Sequence, residues 1–203
     1  ATFIEPLACI LRGQKLAGVR KEQNILIIGA GISGLLHIQM SRLNGAKRVI
    51  ATDILPYRLD AAKRFGADVT FNSGEYTPDV LRKANDGFLA DIVILCTSAK
   101  AAIEQATQSV ERGGTVLFFA AAERGFTMPL SINDVFWRNE ITLTSSYAAT
   151  PKEHMEALEL IRTHKINVKD MITHRLPLAQ TGLGFKLVSE PKESIKVIIY
   201  PNK

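Results

Sequence analysis

The 203-residue sequence has few of the features that mark secreted, membrane-spanning or nucleic-acid-binding proteins. Its two cysteines, Cys9 and Cys96, are too few for a disulfide framework and favour a reducing compartment. No apolar run approaches the roughly 18 residues of a membrane helix. The opening residues lack the charged, apolar and small-residue regions of a signal peptide. We therefore expect a cytoplasmic protein that does not act at a membrane.

Charge of one sign is also scarce. The formal net charge is +5, from 25 Lys and Arg against 20 Asp and Glu, and no dense basic block occurs. This balance does not favour a nucleic-acid partner. Apolar residues make up 46% of the chain, which is enough for a buried core in one large domain or in one domain with an appendage.

A glycine-rich segment follows the first apolar run. Residues Ile25–Ile28 lead into G-x-G-x-x-G at Gly29, Gly31 and Gly34, and a helix-like stretch follows. The first glycine suits a tight turn, the second allows close backbone approach to a pyrophosphate, and the third allows the helix to pack near the strand. A second apolar run ends at Asp53, nineteen residues after Gly34, where a carboxylate accepts hydrogen bonds from ribose hydroxyls.

This arrangement predicts a dinucleotide site that takes NAD. Ile32 and Ser33 open the helix, whose N-terminal N–H groups attract phosphates. The negative charge of Asp53 disfavours the 2′-phosphate of NADP. Folds that bind S-adenosylmethionine also have a glycine-rich first turn and a later acid, and they stay an alternative that the three-glycine spacing disfavours.

Strand and helix patterns alternate along most of the chain and predict an α/β fold, with a doubly wound, parallel, six-stranded Rossmann sheet. The predicted strands are Asn24–Ile28, Val49–Asp53, Val69–Phe71, Asp91–Cys96, Thr115–Ala120 and Ile141–Ser146. The helices between them are predicted at 32–44, 56–65, 76–84 and 100–112, the last ended by Gly113 and Gly114, and 125–139 is predicted to be a loop.

The pattern changes after the sixth strand. Helices at 151–164 and 179–188 alternate with strands at 171–176 and 195–200. We expect a Rossmann domain with a leading helix (3–17) at 1–147 and a separate α+β segment at 148–203. Cys96, Thr97 and Ser98 end the fourth strand at the carboxyl edge, where such sheets bind ligands.

Several ordered segments point to one family. They are Glu5-Pro6-Leu7-Ala8, Gly29 to Gly34, Asp53 with Arg58, Ala61 and Gly66-Ala67-Asp68, Gly113 to Val116, Trp137 to Ile141 with Ser145-Ser146-Tyr147, and Ile195 to Ile198. Together they resemble the medium-chain dehydrogenase/reductase superfamily, on its zinc-dependent polyol (sorbitol-like) and threonine dehydrogenase side. Members begin with a GroES-like catalytic domain that has no counterpart here. The resemblance therefore implies a cofactor domain followed by the C-terminal remnant of a catalytic domain.

The resemblance also assigns residues. It implies that Glu5 binds a catalytic Zn²⁺, directly or through water, in the full-length parent only, because one carboxylate cannot hold zinc. Cys9 and His37 are predicted to be packing residues. The cofactor contacts that it implies or supports, beyond the glycine loop and Asp53, are Ile54 at the adenine, Arg58 at the ribose or phosphate, Phe119, Ala120 and Ala121 at the nicotinamide, and Ser145 and Ser146 at its carboxamide.

The function implied by this resemblance is oxidation of a secondary alcohol or polyol by hydride transfer to NAD. This chain alone is expected to bind NAD without turning over an alcohol. The alternatives are a stand-alone NAD(H)-binding sensor and a zinc-free quinone-reductase-like oxidoreductase. The family also pairs its sixth strand across a two-fold axis, so we expect a homodimer through the edge at Ile141–Ser146.

Overall fold

Six parallel strands form one sheet in the computed structural model, which describes residues 1–190 and 192–202. They are β1 (Asn24–Ile28), β2 (Arg48–Asp53), β3 (Val69–Asn72), β4 (Ala90–Leu95), β5 (Val110–Phe118) and β6 (Thr142–Ser145). Their spatial order is β3-β2-β1-β4-β5-β6, so the direction of winding reverses between β1 and β4. This is the predicted doubly wound sheet, and the reversal opens a crevice at the carboxyl ends of these two strands.

Helices cover both faces of the sheet because its strands are apolar on both sides. Within β1, Ile25 and Ile27 face one core, whereas Leu26 and Ile28 face the other, and all four are buried. The helices are α1 (Ile4–Leu16), α2 (Ile32–Leu43), α3 (Pro56–Arg64), α4 (Pro78–Ala84), α5 (Lys100–Gln108), α6 (Pro151–Arg162) and α7 (Thr181–Ser189). In the described part of the chain, none of these helices has the length and apolar character needed to cross a membrane.

The predicted helix at 100–112 is wrong at its end. Helix α5 stops at Gln108, and β5 begins at Val110, which pairs with Ala90 before the register shifts. Gly113 and Gly114 lie inside β5 instead of ending the helix. A Cβ on Gly114 would lie 2.7 Å from the Asp91 carbonyl oxygen, so a close approach between strands requires this glycine.

The predicted loop at 125–139 contains a short π-helix at Ile132–Trp137. The hydroxyl of Ser131 accepts a hydrogen bond from the N–H of Asp134 and begins this turn. Ile132 and Trp137 are exposed there, directly before edge strand β6. The segment therefore presents an exposed apolar surface next to the β6 edge of the sheet.

The last part of the chain packs through two different contacts. Helix α6 lies on α1, and Ala157 joins the same buried core as α1 and α2. Strands β7 (Ile172–Pro177) and β8 (Lys196–Tyr200) form a separate parallel pair, which α7 crosses at Gly184. The division of the chain at residue 147 stays a prediction.

A buried polar cluster joins α1 to α2. The amide nitrogen of Gln14 donates to the His37 carbonyl at 3.0 Å and lies 3.2 Å from His37 Nδ1. Because Nδ1 faces this donor, the contact favours the tautomer with the imidazole proton on Nε2. The Phe119 ring meets the imidazole edge to face, with centroids 4.6 Å apart. His37 is thus a packing residue, as the sequence predicts, and its burial lowers its pKa to about 3.

We expect stability to fall as the pH drops from about 7 to 5. The unfolded chain takes up a proton at His37 near pH 6.5, whereas the folded chain does so only near pH 3, so protons favour unfolding between these values. The slope from this one group is up to about 1.4 kcal/mol per pH unit. Urea unfolding at several pH values measures it. His37→Leu should flatten the slope, exposed His164→Asn should not, and equal slopes in parent and His37→Leu would contradict the assignment.

Candidate functional site

A cleft of about 390 Å³ opens at the carboxyl edge of the sheet, where the winding reverses between β1 and β4. Four loops shape it, and they follow β1, β2, β3 and β4. Its lining residues are Ile28, Gly29, Gly31, Asp53, Ile54, Arg58, Ser73, Gly74, Cys96, Thr97, Ala99, Ala101, Ala102 and Gln105. The position is the one where open α/β sheets bind nucleotides.

The glycine loop forms one wall of the cleft. Gly29 has a φ of +95°, in the region that favours glycine. A Cβ on Gly34 would lie 1.9 Å from the Gly29 carbonyl oxygen, so only glycine lets α2 start this close to β1. Gly31 caps α2 without a side-chain hydrogen bond. The first N–H groups of α2, from Ile32 and Ser33, are therefore available to an anion.

Asp53 lies at the end of β2 and lines the cleft, as predicted, but it is only 5% exposed. Its Oδ2 accepts a hydrogen bond from the Ala30 N–H at 2.8 Å, and its Oδ1 accepts one from the Leu55 N–H at 3.0 Å. Each oxygen keeps a further lone pair. The carboxylate is thus held by the protein and still able to accept hydrogen bonds from a ligand.

Arg58 stands in the first turn of α3 and extends over the glycine loop. Its Nη1 lies 3.8 Å from Asp53 Oδ2, and a Cβ on Gly31 would lie 3.8 Å from the same nitrogen. The Arg58 Nε is buried and has no hydrogen-bond partner within the described residues. An orphaned guanidinium donor beside a helix N-terminus fits an anionic or hydroxylated ligand.

The far side of the cleft was only partly predicted. Ile54 lies on its rim and is 70% exposed. The sequence analysis did not predict Ser73, Gly74 and Gln105 as lining residues. The side-chain amide of Gln105 donates to the Ser73 carbonyl at 3.3 Å. Ser73 and Gly74 could have been predicted, because the loop after β3 must reach the same edge of a parallel sheet.

The other predicted cofactor residues lie at the same edge with different exposure. Cys96 and Thr97 line the cleft, whereas Ser98 is exposed beside it. The backbone N–H of Cys96 donates to the Ile28 carbonyl at 2.8 Å. Burial raises the pKa of the Cys96 thiol, so it stays protonated at neutral pH and is not a thiolate nucleophile.

Phe119, Ala120, Ala121, Ser145 and Ser146 lie at the ends of β5 and β6, outside the cleft lining. The N–H groups of Phe119 and Ala120 both donate to the Leu95 carbonyl at 3.1 Å. The Phe119 side chain faces His37, so it offers a ligand its backbone only. The Ser146 hydroxyl is buried and has no partner within the described residues.

Glu5 is exposed in the first turn of α1, where the Cys9 thiol donates to its Oε1 at 3.2 Å. Partial burial, with this carboxylate nearby, raises the pKa of Cys9 to about 11. Among residues 1–190 and 192–202, no group of three or more His, Cys, Asp and Glu side chains is placed to hold a metal ion. These residues therefore do not fit a complete zinc site, which takes three or four protein ligands, and we derive no step through zinc.

The family model for zinc-binding dehydrogenases matches residues 33–163, which include the end of the glycine loop, Asp53 and strands β2 to β6. The chain belongs to this family.

Curated relatives agree with this assignment. Sorbitol dehydrogenase 1 of Saccharomyces cerevisiae is 30% identical over 205 residues, which cover 97% of this chain and 57% of the yeast protein. Sorbitol dehydrogenase of Gallus gallus is 29% identical and covers 97% of this chain and 55% of its own length. The chain thus spans slightly more than half the length of these relatives.

Solved structures share the fold. A zinc-binding dehydrogenase of Clostridium scindens superposes with a TM-score of 0.92 over 99% of this chain and 56% of its own, at 23% identity. A zinc-binding dehydrogenase of Sinorhizobium meliloti, bound to NADP, has a TM-score of 0.88 at 28% identity, over 98% of this chain and 58% of its own.

Gly34→Ala should destabilise the protein by about 1–3 kcal/mol, because its Cβ forces α2 away from β1. It should also weaken nucleotide binding, since the same movement displaces the first N–H groups of α2. Urea unfolding and nucleotide titration measure the two effects. Gly182→Ala is the matched control, because its Cβ meets nothing within 4 Å in α7. Parent-like unfolding of Gly34→Ala would contradict the close approach.

Proposed function

We propose that this chain is the NAD-binding portion of a zinc-dependent dehydrogenase that oxidises a secondary alcohol or polyol. The observation that carries the proposal is the cleft at the switch point, with the glycine loop on one side and Asp53 and Arg58 on the other. When bound, NAD accepts the hydride, and the protein supplies position and electrostatics.

The adenosine and pyrophosphate parts of the dinucleotide have partners in the cleft, and the nicotinamide has partners beside it. The first N–H groups of α2 bind the pyrophosphate, and Asp53 accepts hydrogen bonds from the adenosine ribose. Arg58 lies 3.8 Å from the carboxylate and reaches the ribose or the outer phosphate. Ile54 packs on the adenine. The carboxyl ends of β5 and β6, with Phe119 to Ala121 and Ser145 and Ser146, lie at the nicotinamide.

The negative charge of Asp53 favours NAD over NADP. The Asp53 carboxylate lies where an adenosine ribose would bind, and a 2′-phosphate there would meet it. The Sinorhizobium relative is bound to NADP, so the fold alone does not decide between the two cofactors. We assign NAD to this chain because of the negative charge of its Asp53 carboxylate.

Zinc and the substrate belong to the longer protein in this proposal. Glu5 would contribute to the metal site together with ligands from residues that this chain does not contain. A polyol substrate follows from the sorbitol dehydrogenases among the relatives. The position of Glu5 favours this branch over a zinc-free quinone reductase.

An apolar face on α7 favours a dehydrogenase part over a self-contained NAD(H) sensor. Leu183, Phe185 and Val188 are exposed there, and Phe185 is 74% exposed. A sensor predicts that residues 148–203 cover their own apolar surface. A part of a larger protein would also be expected to leave the strand at 171–176 or at 195–200 without a strand partner, and this expectation is wrong, because β7 and β8 pair with each other.

Titration with NADH and NADPH, followed by nicotinamide fluorescence, tests the nucleotide assignment. We expect clear NADH binding and much weaker NADPH binding. Arg58→Gln should weaken NADH binding about tenfold, because it removes a charged donor from the cleft. Arg64→Gln is the matched control, since Arg64 is exposed on the same helix outside the cleft. Absence of NADH binding would reject the site, and equal binding of NADPH would reject the role of Asp53 in cofactor choice.

We also propose a homodimer through the sixth strand. Strand β6 is the last strand of the sheet and pairs only with β5 among the described strands. Exposed Ile132, Trp137 and Tyr147 flank this edge. A second copy of the chain would cover both the open strand and the apolar surface.

A charge on this edge should dissociate the dimer. Thr142→Lys places like charges near each other across the two-fold axis, so we expect a shift toward the 22.3 kDa monomer in sedimentation velocity. Gln108→Lys, exposed at the end of α5, is the control and should sediment like the parent. A monomeric parent, or a dimer unaffected by Thr142→Lys, would contradict this interface.

A further inference from the structure

One buried carboxylate connects two loops of the cleft. Asp53 accepts the Ala30 N–H from the glycine loop at 2.8 Å, and it accepts the Leu55 N–H from the loop before α3 at 3.0 Å. Ala30 lies between Gly29 and Gly31 and is fully buried. Both hydrogen bonds join groups of the protein itself.

The loss of this acceptor would be costly. A buried N–H that loses its partner keeps the full cost of desolvation, and water cannot easily reach Ala30. The loop is held on either side of Ala30, because the Gly29 N–H donates to the Thr52 carbonyl at 2.8 Å and the Gly31 carbonyl accepts from the Leu35 N–H at 2.9 Å. The Asp53 carboxylate supplies the acceptor for the Ala30 N–H, which lies between these two contacts.

We propose that Asp53 is a positioning residue for the glycine-rich loop. It holds Ala30 so that the backbone around the phosphate site is formed before the nucleotide binds. The Leu55 hydrogen bond ties the start of α3, and thus Arg58, to the same point. Ribose recognition, which belongs to the proposed function, uses the remaining lone pairs of the same oxygens.

This double role has a consequence for cofactor choice. Replacing Asp53 to admit a 2′-phosphate also removes the acceptor for Ala30 or Leu55. The charge at the ribose and the order of the glycine loop therefore cannot be changed separately at this position. Only this consequence rests on the proposed function, whereas the two hydrogen bonds are made between groups of this chain.

Amide hydrogen exchange of the nucleotide-free protein, resolved by NMR, tests the positioning role. Asp53→Ala should speed the exchange of the Ala30 and Leu55 amides about tenfold or more. Asp53→Asn keeps the side-chain volume but has a single acceptor oxygen, so at least one of the two amides should exchange faster. It serves as the second variant if Asp53→Ala does not fold.

Asp91→Ala is the matched control. Asp91 accepts the Asn24 N–H at 2.7 Å, at the amino end of the same sheet. This variant should speed the exchange of Asn24 and leave Ala30 unchanged. Titrations of Asp53→Asn should show weaker NADH binding without a compensating gain for NADPH.

Two results would overturn the proposal. The first is parent-like exchange of Ala30 and Leu55 in the folded Asp53 variants. The second is Asp53→Asn binding NADPH as tightly as the parent binds NADH, because a disturbed loop could not do so. A parent that binds neither nucleotide would reject the proposed function instead, and the exchange rates would still decide the role of Asp53.

Discussion

The structure depends on how closely the first turn of α2 approaches the end of β1. Gly34 lies against the Gly29 carbonyl at a separation that excludes any side chain. This contact brings the helix N-terminus to the carboxyl edge of the sheet, where its N–H groups face the cleft. The positions of Gly31, Ile32 and Ser33 follow from it, because they lie between the two contact points.

The same edge gathers residues from distant parts of the sequence. Parallel strands all end on one side, so the loops after β1, β2, β3 and β4 meet there although they are separated by whole helices. Asp53 and Arg58 come from the second of these loops, and Ser73 comes from the third. The cleft is therefore a property of the sheet as a whole, and the side chains in it act together only because the strand order reverses at this point.

Much of the fold was readable from local patterns. The alternation of apolar strand patterns with helix patterns predicted the doubly wound, six-stranded parallel sheet that the structure shows. The end of α5 could not be predicted in this way, because Gly113 and Gly114 resemble a helix stop but lie in a strand distorted by close contact with β4. The π-helix at Ile132–Trp137 was missed as well, since no simple periodicity marks such a turn.

The sequence by itself determined the glycine spacing, the acid after the second strand and the residues that place the chain among zinc-binding dehydrogenases. These features are encoded in neighbouring residues, and the backbone conformation of each turn depends on them directly. Only the tertiary structure decided that Asp53 is buried and bonded to Ala30 and Leu55, that Phe119 turns its ring toward His37, and that Gln105 joins the cleft. Such contacts link residues far apart in the chain, so they arise from packing and not from local pattern.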